Sequence, residues 1–169
     1  MQTFVALFVL KFKVEMQLNS VINHFFDALK QNNEQDLLHY LDTNYVYNDP
    51  LYGLLYHNDA RKRWKLWIQK NKIENIEIIE ITEYDHEYAM VHWKSVFYYQ
   101  PTNKKVTLFI KFYFKIENNL ITEKSDAYKL SVFIKEAYGL KGLLFGWIKF
   151  MQHRVRKVAI KDLNSFNPS

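Results

Sequence analysis

Cysteine is absent from the 169-residue chain, and glycine and proline are scarce, with four and three residues respectively. The absence of cysteine excludes disulfides, thiolate metal ligands and a cysteine nucleophile. It also suits a reducing compartment, so we expect a cytoplasmic protein. The sequence contains no glycine-rich phosphate loop and no serine in a nucleophile elbow. Nucleotide binding, dinucleotide binding and serine-hydrolase chemistry are therefore not indicated.

Long hydrophobic runs are also lacking. The apolar stretch Thr3–Leu10 (TFVALFVL) is far shorter than the ~20 residues that span a bilayer. No Lys or Arg precedes it and no cleavage pattern of small residues follows it, so we expect neither a secreted nor a membrane-spanning form. Met16 begins a sequence that would serve equally well as a start. We interpret residues 1–15 as an N-terminal extension from an upstream start codon, and an extra strand or helix packed on the domain is the alternative.

Charge and histidine content give little support for nucleic-acid or metal binding. The chain has 23 basic and 18 acidic residues, and solubility alone accounts for a net charge of +5, although this charge would also help an acidic partner to dock. The six histidines show no close metal-ligand spacing and stand at positions 24, 39, 57, 86, 92 and 153. We predict no nucleic-acid partner, no metal and no cofactor.

The apolar share of 49%, with 17% aromatic residues, is enough for the core of one compact domain. The strongest pattern is in Val106–Ile116, where every second residue is apolar, so one face of this strand is built to be buried. The strand forms a hairpin with Glu87–Gln100, and Leu120–Tyr128 follows as a last strand. Ile73–Tyr84 predicts a further strand, in which the adjacent pair Ile78–Ile79 shifts the phase as a β-bulge would.

Apolar residues at helical spacing predict helices before and after these strands. The predicted helices are Leu18–Gln31, Gln35–Leu41, Asn58 or Asp59 to Gln69, Leu130–Ala137 and Trp147–Leu163. In the third helix, Trp64, Trp67 and Ile68 mark the buried side. The basic residues of that helix are expected largely in water: Arg61, Lys62, Arg63 and Lys65. The elements form one α+β domain over residues 16–129, with residues 130–169 as a C-terminal helical extension of the same domain.

Four segments carry a family resemblance through their order along the chain. They are VINHFFDALKQNN (Val21–Asn33), YVYNDPLYG (Tyr45–Gly53), HW (His92–Trp93) and FYFKIENNLITEKSD (Phe112–Asp126). This order resembles the nuclear transport factor 2-like (NTF2-like, SnoaL-like) superfamily, which includes ketosteroid isomerases, polyketide cyclases and limonene epoxide hydrolase. The tail Tyr138–Leu163 is similar to that of a bacterial branch of SnoaL-like proteins. The resemblance implies a cone-shaped α+β fold, with N-terminal helices on a strongly curved antiparallel sheet, extra C-terminal helices and a small-molecule pocket.

The resemblance to ketosteroid isomerases is only partial. These enzymes keep a general-base Asp in an Asp-Pro pair at the end of the first strand, and Asp49-Pro50 matches that pair. Their oxyanion-stabilising Tyr aligns with Phe25, and their protonated Asp aligns near Phe112. Neither phenylalanine donates a hydrogen bond, so the electrostatic stabilisation that usually dominates such catalysis is missing and a true ketosteroid isomerase is disfavoured. Asp49 is a candidate general base, and a cap for the turn after the strand is the alternative.

Lys124 and Asp126 stand two residues apart on the last predicted strand, so their side chains leave the same face. On a concave face they would form an acid–base pair inside a largely apolar cavity. Similar SnoaL-like proteins often carry His and Asp at these two places, and the cyclases use such a pair for proton transfer; here Lys124 replaces the His. Three roles stay open for the pair: a structural salt bridge, ligand recognition and catalysis. The candidate catalytic residues are therefore Asp49, Lys124 and Asp126.

Aromatic side chains complete the predicted pocket. Trp93 is expected to face it, whereas His92 points to the opposite face of the strand as an exposed or hydrogen-bonded residue. Phe25, Tyr47 and Phe112 would supply further apolar contact. The leading hypothesis is a protein that binds a small apolar or aromatic molecule, with isomerase-like or cyclase-like proton transfer as an open question.

Two further expectations concern surfaces. Tyr98, Tyr99, Phe109 and Tyr113 make the outer face of the sheet unusually aromatic, which favours a homodimer, and a non-enzymatic dimeric interaction module is the rival function. The segment Leu140–Lys161 joins an apolar stretch to a basic helix. Such a segment usually closes its own domain or a dimer interface, and peripheral contact with an anionic membrane is the less expected interpretation.

Overall fold

A computed structural model describes residues 18–167 of the chain. The predicted extension of residues 1–15 lies outside these described residues. The helices are α1 (residues 18–30), α2 (Glu34–His39), α3 (His57–Lys70), α4 (Leu130–Tyr138), α5 (Leu140–Phe145) and α6 (Lys149–Ser165). The strands are β1 (Leu41–Asp49), β2 (Gly53–Tyr56), β3 (Lys72–Glu83), β4 (Tyr88–Tyr99), β5 (Lys104–Glu117) and β6 (Leu120–Ala127). No helix within residues 18–167 combines the length and the apolar character that crossing a membrane requires.

The strands form one curved sheet in the order β2-β1-β6-β5-β4-β3. Strands β3 to β6 follow one another as an antiparallel meander, which confirms the hairpins predicted from the alternation. The sheet is mixed rather than wholly antiparallel, because β1 runs parallel to β6 and places Tyr47 opposite Lys124. The short strand β2 was not predicted. It returns antiparallel along β1 after a turn that ends at Gly53, where φ is +74°.

Two local features set the register and curvature of the sheet. The β3–β4 pairing slips between Ile78 and Glu80 and leaves Ile79 as the extra residue, so the predicted bulge is confirmed. Asn118 and Asn119 both have positive φ, which is the geometry of a two-residue type I′ hairpin turn between β5 and β6. A bulge bends the strand that contains it, and the sheet accordingly wraps around the helices packed on its concave face.

The core lies between the concave face of the sheet and the helices. Every second residue of β5 from Val106 to Ile116 is buried, as the alternation predicts. Phe26 of α1 stacks on Phe112, with 5.8 Å between ring centroids, so the first helix closes directly on the central strand. Burial of such aromatic side chains is the main driving force for this packing.

Several predicted boundaries need correction. The sequence predicts a brief first strand at Tyr45–Tyr47, but this strand begins at Leu41 and runs to Asp49. The short helix α5 was not predicted, and the last helix begins at Lys149 rather than Trp147. The most important error concerns α3, because Arg63 is buried instead of lying in water. Ala60, Arg63, Trp64 and Trp67 follow the spacing of one helix face, and that face is directed at the sheet.

Candidate functional site

A cavity lies between the concave face of the sheet and helices α3 and α4. Nine of its sixteen lining residues are aromatic, and Arg63 and Asp126 are the charged residues among those lining it in the described part of the chain. The cavity offers about 60 Å³ to the centres of water-sized molecules, which is room for several waters. It is therefore a small, aromatic-walled space with one cation and one anion in its wall.

Lys124 and Asp126 form a buried ion pair on β6. Both side chains leave the concave face, as their spacing indicates. The Lys124 ammonium lies 3.1 Å from the centroid of the Phe112 ring and 4.8 Å from that of Trp64, so aromatic faces hold it in place. Burial lowers the pKa of Lys124 to about 7, against the opposing attraction of the Asp126 carboxylate. Asp126 reaches the cavity wall, and Lys124 lies behind it.

Tyr47 connects two buried carboxyl groups. Its hydroxyl oxygen lies 2.9 Å from Asp49 Oδ2 and 2.7 Å from Asp126 Oδ2. A phenol has one proton to donate, so two short bonds require a second proton on one of the carboxyl groups. Burial raises the pKa of Asp49, although the neighbouring Arg63 opposes this effect. We infer that Asp49 holds the second proton and donates to Tyr47, while Tyr47 donates to the Asp126 carboxylate.

Asp49 also stabilises the turn that follows β1. Its Oδ1 accepts hydrogen bonds from the backbone N–H of Leu51, at 2.9 Å, and from that of Tyr52. The alternative role considered from the sequence, a cap for this turn, therefore describes one oxygen of the carboxyl group. The other oxygen belongs to the buried network, so Asp49 has both a local and a long-range role.

Arg63 carries its guanidinium into the same region from α3. The group lies 4.3 Å from the centroid of the Trp64 ring and 4.9 Å from that of Tyr47. Its Nη2 atom is 3.8 Å from Asp49 Oδ2, which is too long for a hydrogen bond. The cation is thus held mainly by aromatic faces, and Asp49 neutralises it only weakly if the inferred proton is present.

Five buried side-chain atoms in residues 18–167 have no hydrogen-bond partner, and all belong to residues that line the cavity. They are Arg63 Nε, Arg63 Nη1, Asn71 Oδ1, Trp93 Nε1 and Ser95 Oγ. A buried polar group without a partner costs about 1–3 kcal/mol, so such groups are rare in folded proteins and indicate water or a ligand. The unpaired atoms of the described chain therefore all belong to four residues of the cavity lining.

The residues predicted for the site divide into three groups. Trp93, Phe112 and Asp126 line the cavity. Tyr47, Asp49 and Lys124 form the buried network behind its wall. Phe25 packs in the core, where its ring meets the edge of Trp64 at 5.3 Å between centroids. Three polar residues that line the cavity were not among the predicted site residues: Arg63, Asn71 and Ser95.

Two predictions about the faces of β4 have different outcomes. His92 lies on the outer face beside Phe109, opposite to the cavity-lining Trp93, as expected. Tyr99 was grouped with the aromatic residues of the outer face, although the phase of Glu87–Gln100 left individual assignments open. Its ring lies instead in the cavity wall and contacts Phe133 at 5.3 Å between centroids. Residues 18–167 contain no group of three His, Asp or Glu side chains placed to hold a metal ion.

Comparisons with known proteins place the chain by its fold and not by its sequence. No protein-family model matches the chain, and no curated protein matches it. An epoxide hydrolase of the LEH-like type from M. tuberculosis superposes with a TM-score of 0.61 at 17% identity, over 76% of this chain and 93% of the other. A protein of ketosteroid isomerase-like fold from Catenulispora acidiphila, solved with trimethylamine, gives 0.59 at 15% identity, over 70% and 92%.

A candidate SnoaL-like polyketide cyclase from Mesorhizobium loti is also similar, with a TM-score of 0.52 at 17% identity, over 66% of this chain and 98% of the other. Each of these three structures is covered almost completely, whereas about a quarter to a third of this chain lies outside the match. Identities this low establish the fold alone. The chain has the NTF2-like fold, and the predicted α+β architecture is confirmed.

Proposed function

We propose that this NTF2-like chain binds a small, largely aromatic molecule in the cone cavity, with a hydrogen-bond-accepting oxygen of that molecule directed at Arg63. The observation that carries the proposal is the set of five unpaired polar atoms on residues that line the cavity. Arg63 Nε, Arg63 Nη1 and Trp93 Nε1 are donors only, whereas Ser95 Oγ both donates and accepts. A carbonyl, enolate or carboxylate oxygen would satisfy these donors, whereas the remaining atom, Asn71 Oδ1, accepts and would need an O–H or N–H group of the ligand or a water.

The rest of the wall favours a planar apolar body. Aromatic rings surround the cavity and would contact a ring by stacking or by edge-to-face packing. The charge balance favours an oxygen with negative character, because Lys124 and Asp126 neutralise each other and the proton inferred on Asp49 would leave Arg63 without a full counter-charge. Arg63 then remains as the buried cation that a ligand would neutralise. Simple aromatic carbonyl compounds and aromatic acids are therefore the proposed ligand class.

The same geometry supports proton transfer of the isomerase or cyclase type. Asp126 is the carboxylate in the cavity wall, so it would accept a proton from a carbon or hydroxyl group of the ligand. The N–H groups of Arg63 would stabilise the negative charge that develops on the ligand oxygen. Tyr47 and Asp49 would act as positioning residues, because they hydrogen-bond to Asp126 or to each other and do not reach the ligand.

Native mass spectrometry of freshly purified protein, followed by solvent extraction, tests the proposal. Ser95→Ala and Trp93→Phe each remove an unpaired donor without creating a new buried polar group, so both variants should fold. We expect each to bind the copurified molecule, or benzoate and benzaldehyde as probes, about 2- to 10-fold more weakly than the wild type. The control is Lys62→Met, which changes a half-buried residue on the same helix as Arg63. Equal binding of benzoate and toluene would contradict the proposal.

A homodimer through the outer face of the sheet is a separate proposal. Phe109 is 58% exposed and Tyr113 is 41% exposed on that face. Substitution Tyr113→Glu should convert such a dimer to a monomer in light-scattering measurements and should leave the cavity intact. An unchanged mass for the variant would reject this interface.

The absence of cysteine supports a cytoplasmic location of the protein in either role.

A further inference from the structure

A cluster of exposed apolar side chains covers α5 and the start of α6. Six large apolar residues within eleven positions are each 50–74% exposed: Leu140, Leu143, Leu144, Phe145, Trp147 and Phe150. We name this cluster the apolar ridge. The polar atom of its indole is already satisfied, because Trp147 Nε1 donates to the Leu144 carbonyl at 2.9 Å. Exposed apolar patches of this kind mark interaction surfaces.

The apolar ridge is not the face by which α5 and α6 pack on their own domain. Gly142, on the opposite side of α5, packs so closely on α4 that an added Cβ would lie 2.1 Å from the Ile134 carbonyl oxygen. In α6, the stripe Val155, Ala159 and Leu163 is buried. Both helices therefore bury one face against the domain and present a second apolar surface outward.

The segment that contains the apolar ridge is rich in basic residues. Residues 137–161 contain no Asp or Glu and six basic residues, Lys141, Lys149, Arg154, Arg156, Lys157 and Lys161, all exposed. The other 144 residues contain 17 basic and 18 acidic side chains, so this one segment accounts for the net positive charge of the chain. This concentration of positive charge makes the segment electrostatically complementary to an anionic partner.

The helical period continues the apolar ridge into a basic stripe. Phe150, Arg154, Lys157 and Lys161 are spaced by four, three and four residues, so they lie along one face of α6. That face is opposite the buried stripe at Val155, Ala159 and Leu163. An apolar anchor and three cations thus share one side of the helix.

We propose that the apolar ridge and the basic stripe of α6 seat this protein on the surface of an anionic lipid bilayer. The ridge enters the boundary between headgroups and acyl chains, where Trp, Phe and Leu are favoured, and the stripe lies along the lipid phosphates. Helices α5 and α6 lie in the plane of the interface and do not cross it. The proposal is independent of the cavity ligand, because the two sites share no named residue.

Co-sedimentation of the full-length protein with vesicles tests the proposal. The probes are vesicles of phosphatidylcholine alone and vesicles with three parts in ten of phosphatidylglycerol. Wild type should bind the anionic vesicles much more strongly. The variant Leu144→Ser/Trp147→Ser/Phe150→Ser should bind both vesicles at least 10-fold more weakly. The variant Arg154→Gln/Lys157→Gln/Lys161→Gln should lose roughly 10- to 100-fold of its affinity for anionic vesicles only.

Two controls separate other occupants of the surface. Phe109 is exposed on the outer sheet face, and the variant Phe109→Ser should bind vesicles like wild type. Phe4→Ser/Phe8→Ser changes the N-terminal apolar stretch of the sequence and should also retain binding. The proposal is overturned if wild type ignores anionic vesicles, or if only the N-terminal variant loses binding. It is also overturned if the ridge variant merely dissociates a dimer that does not bind vesicles.

Discussion

Replacing Asp49 by asparagine tests where the extra proton of the buried network resides. Tyr47 lies within hydrogen-bond distance of both Asp49 and Asp126, and its one proton satisfies only one of them. If Asp49 is a neutral acid, an asparagine side chain reproduces its donor and keeps the acceptor for the turn. We therefore expect Asp49→Asn to change the free energy of unfolding by less than about 1 kcal/mol at pH values below the raised pKa of Asp49.

Tyr47→Phe is the matched perturbation, because it removes the bridge and leaves both carboxyl groups in place. In the inferred state Tyr47 makes one hydrogen bond to the charged Asp126, worth about 1.5–3 kcal/mol, and one to the neutral Asp49, worth about 0.5–1.5 kcal/mol. The loss should therefore be about 3 kcal/mol. For a domain of this size that corresponds to roughly 6–12 °C in melting temperature. Asp27→Asn on the exposed surface of α1 controls for a simple change of charge.

The pH dependence gives a second measure of the same proton. The pKa of Asp49 is raised in the folded state, so the folded protein binds more protons than the unfolded chain between pH ~3.9 and that raised value. The stability that Asp49 contributes is complete below this window and is lost as pH rises through it. As pH rises through this window, the free energy of unfolding of the wild type should fall by up to about 1.4 kcal/mol per pH unit relative to that of Asp49→Asn.

Urea unfolding followed by tryptophan fluorescence, at pH values from 4 to 8, measures both effects. If the free energy of unfolding changes with pH by the same slope in wild type and in Asp49→Asn, the proton assignment is refuted. A loss of stability in Asp49→Asn as large as that in Tyr47→Phe would also refute it. Either result would mean that Asp49 is ionised and paired with Arg63.

Other perturbations test the ion pair and the packing of α5. Lys124 has a pKa of about 7 in the folded state, below its unfolded value. As pH rises from 7.5 to 9, the free energy of unfolding of the wild type should therefore increase by up to about 1.4 kcal/mol per pH unit relative to Lys124→Met. Parallel plots of this free energy against pH would show that Lys124 stays charged. Gly142→Ala should lower the free energy of unfolding by about 1–3 kcal/mol, because its Cβ meets the Ile134 backbone. Gly53→Ala, at positive φ in open space, should cost about 1 kcal/mol, and urea unfolding that ranks the two in reverse would contradict the packing.

The meander of β3 to β6 was predictable because its signals are local. Alternation in Val106–Ile116 indicated the buried face, and the adjacent Ile78–Ile79 indicated the bulge. The parallel pairing of β1 with β6 was not predictable from local pattern. It joins residues almost eighty positions apart, and Tyr47 and Lys124 carry no signal of their partnership.

The site was only partly predictable for a related reason. The spacing of Lys124 and Asp126 placed both on the concave face, which the structure shows. Arg63 was assigned to water because it stands in the basic run Arg61–Arg63. Its position three residues after Ala60 and four before Trp67 was a signal for the buried face, but the composition of the run outweighed it. The unpaired atoms of Ser95 and Asn71 are visible only once the elements are assembled around the cavity.

The indole N–H of Trp93 gives the most direct test of a functional cavity, because this donor is buried and unpaired and belongs to a residue that lines the cavity. Its signal in a ¹H–¹⁵N spectrum, assigned through Trp93→Phe, should shift on titration with benzoate or benzaldehyde. The exposed Trp147, whose N–H is already bonded, should not respond. A saturable shift of Trp93 with these probes and not with toluene is the predicted result. An unmoved Trp93 signal across all of them would contradict the account of a cavity built for an aromatic ligand with an accepting oxygen.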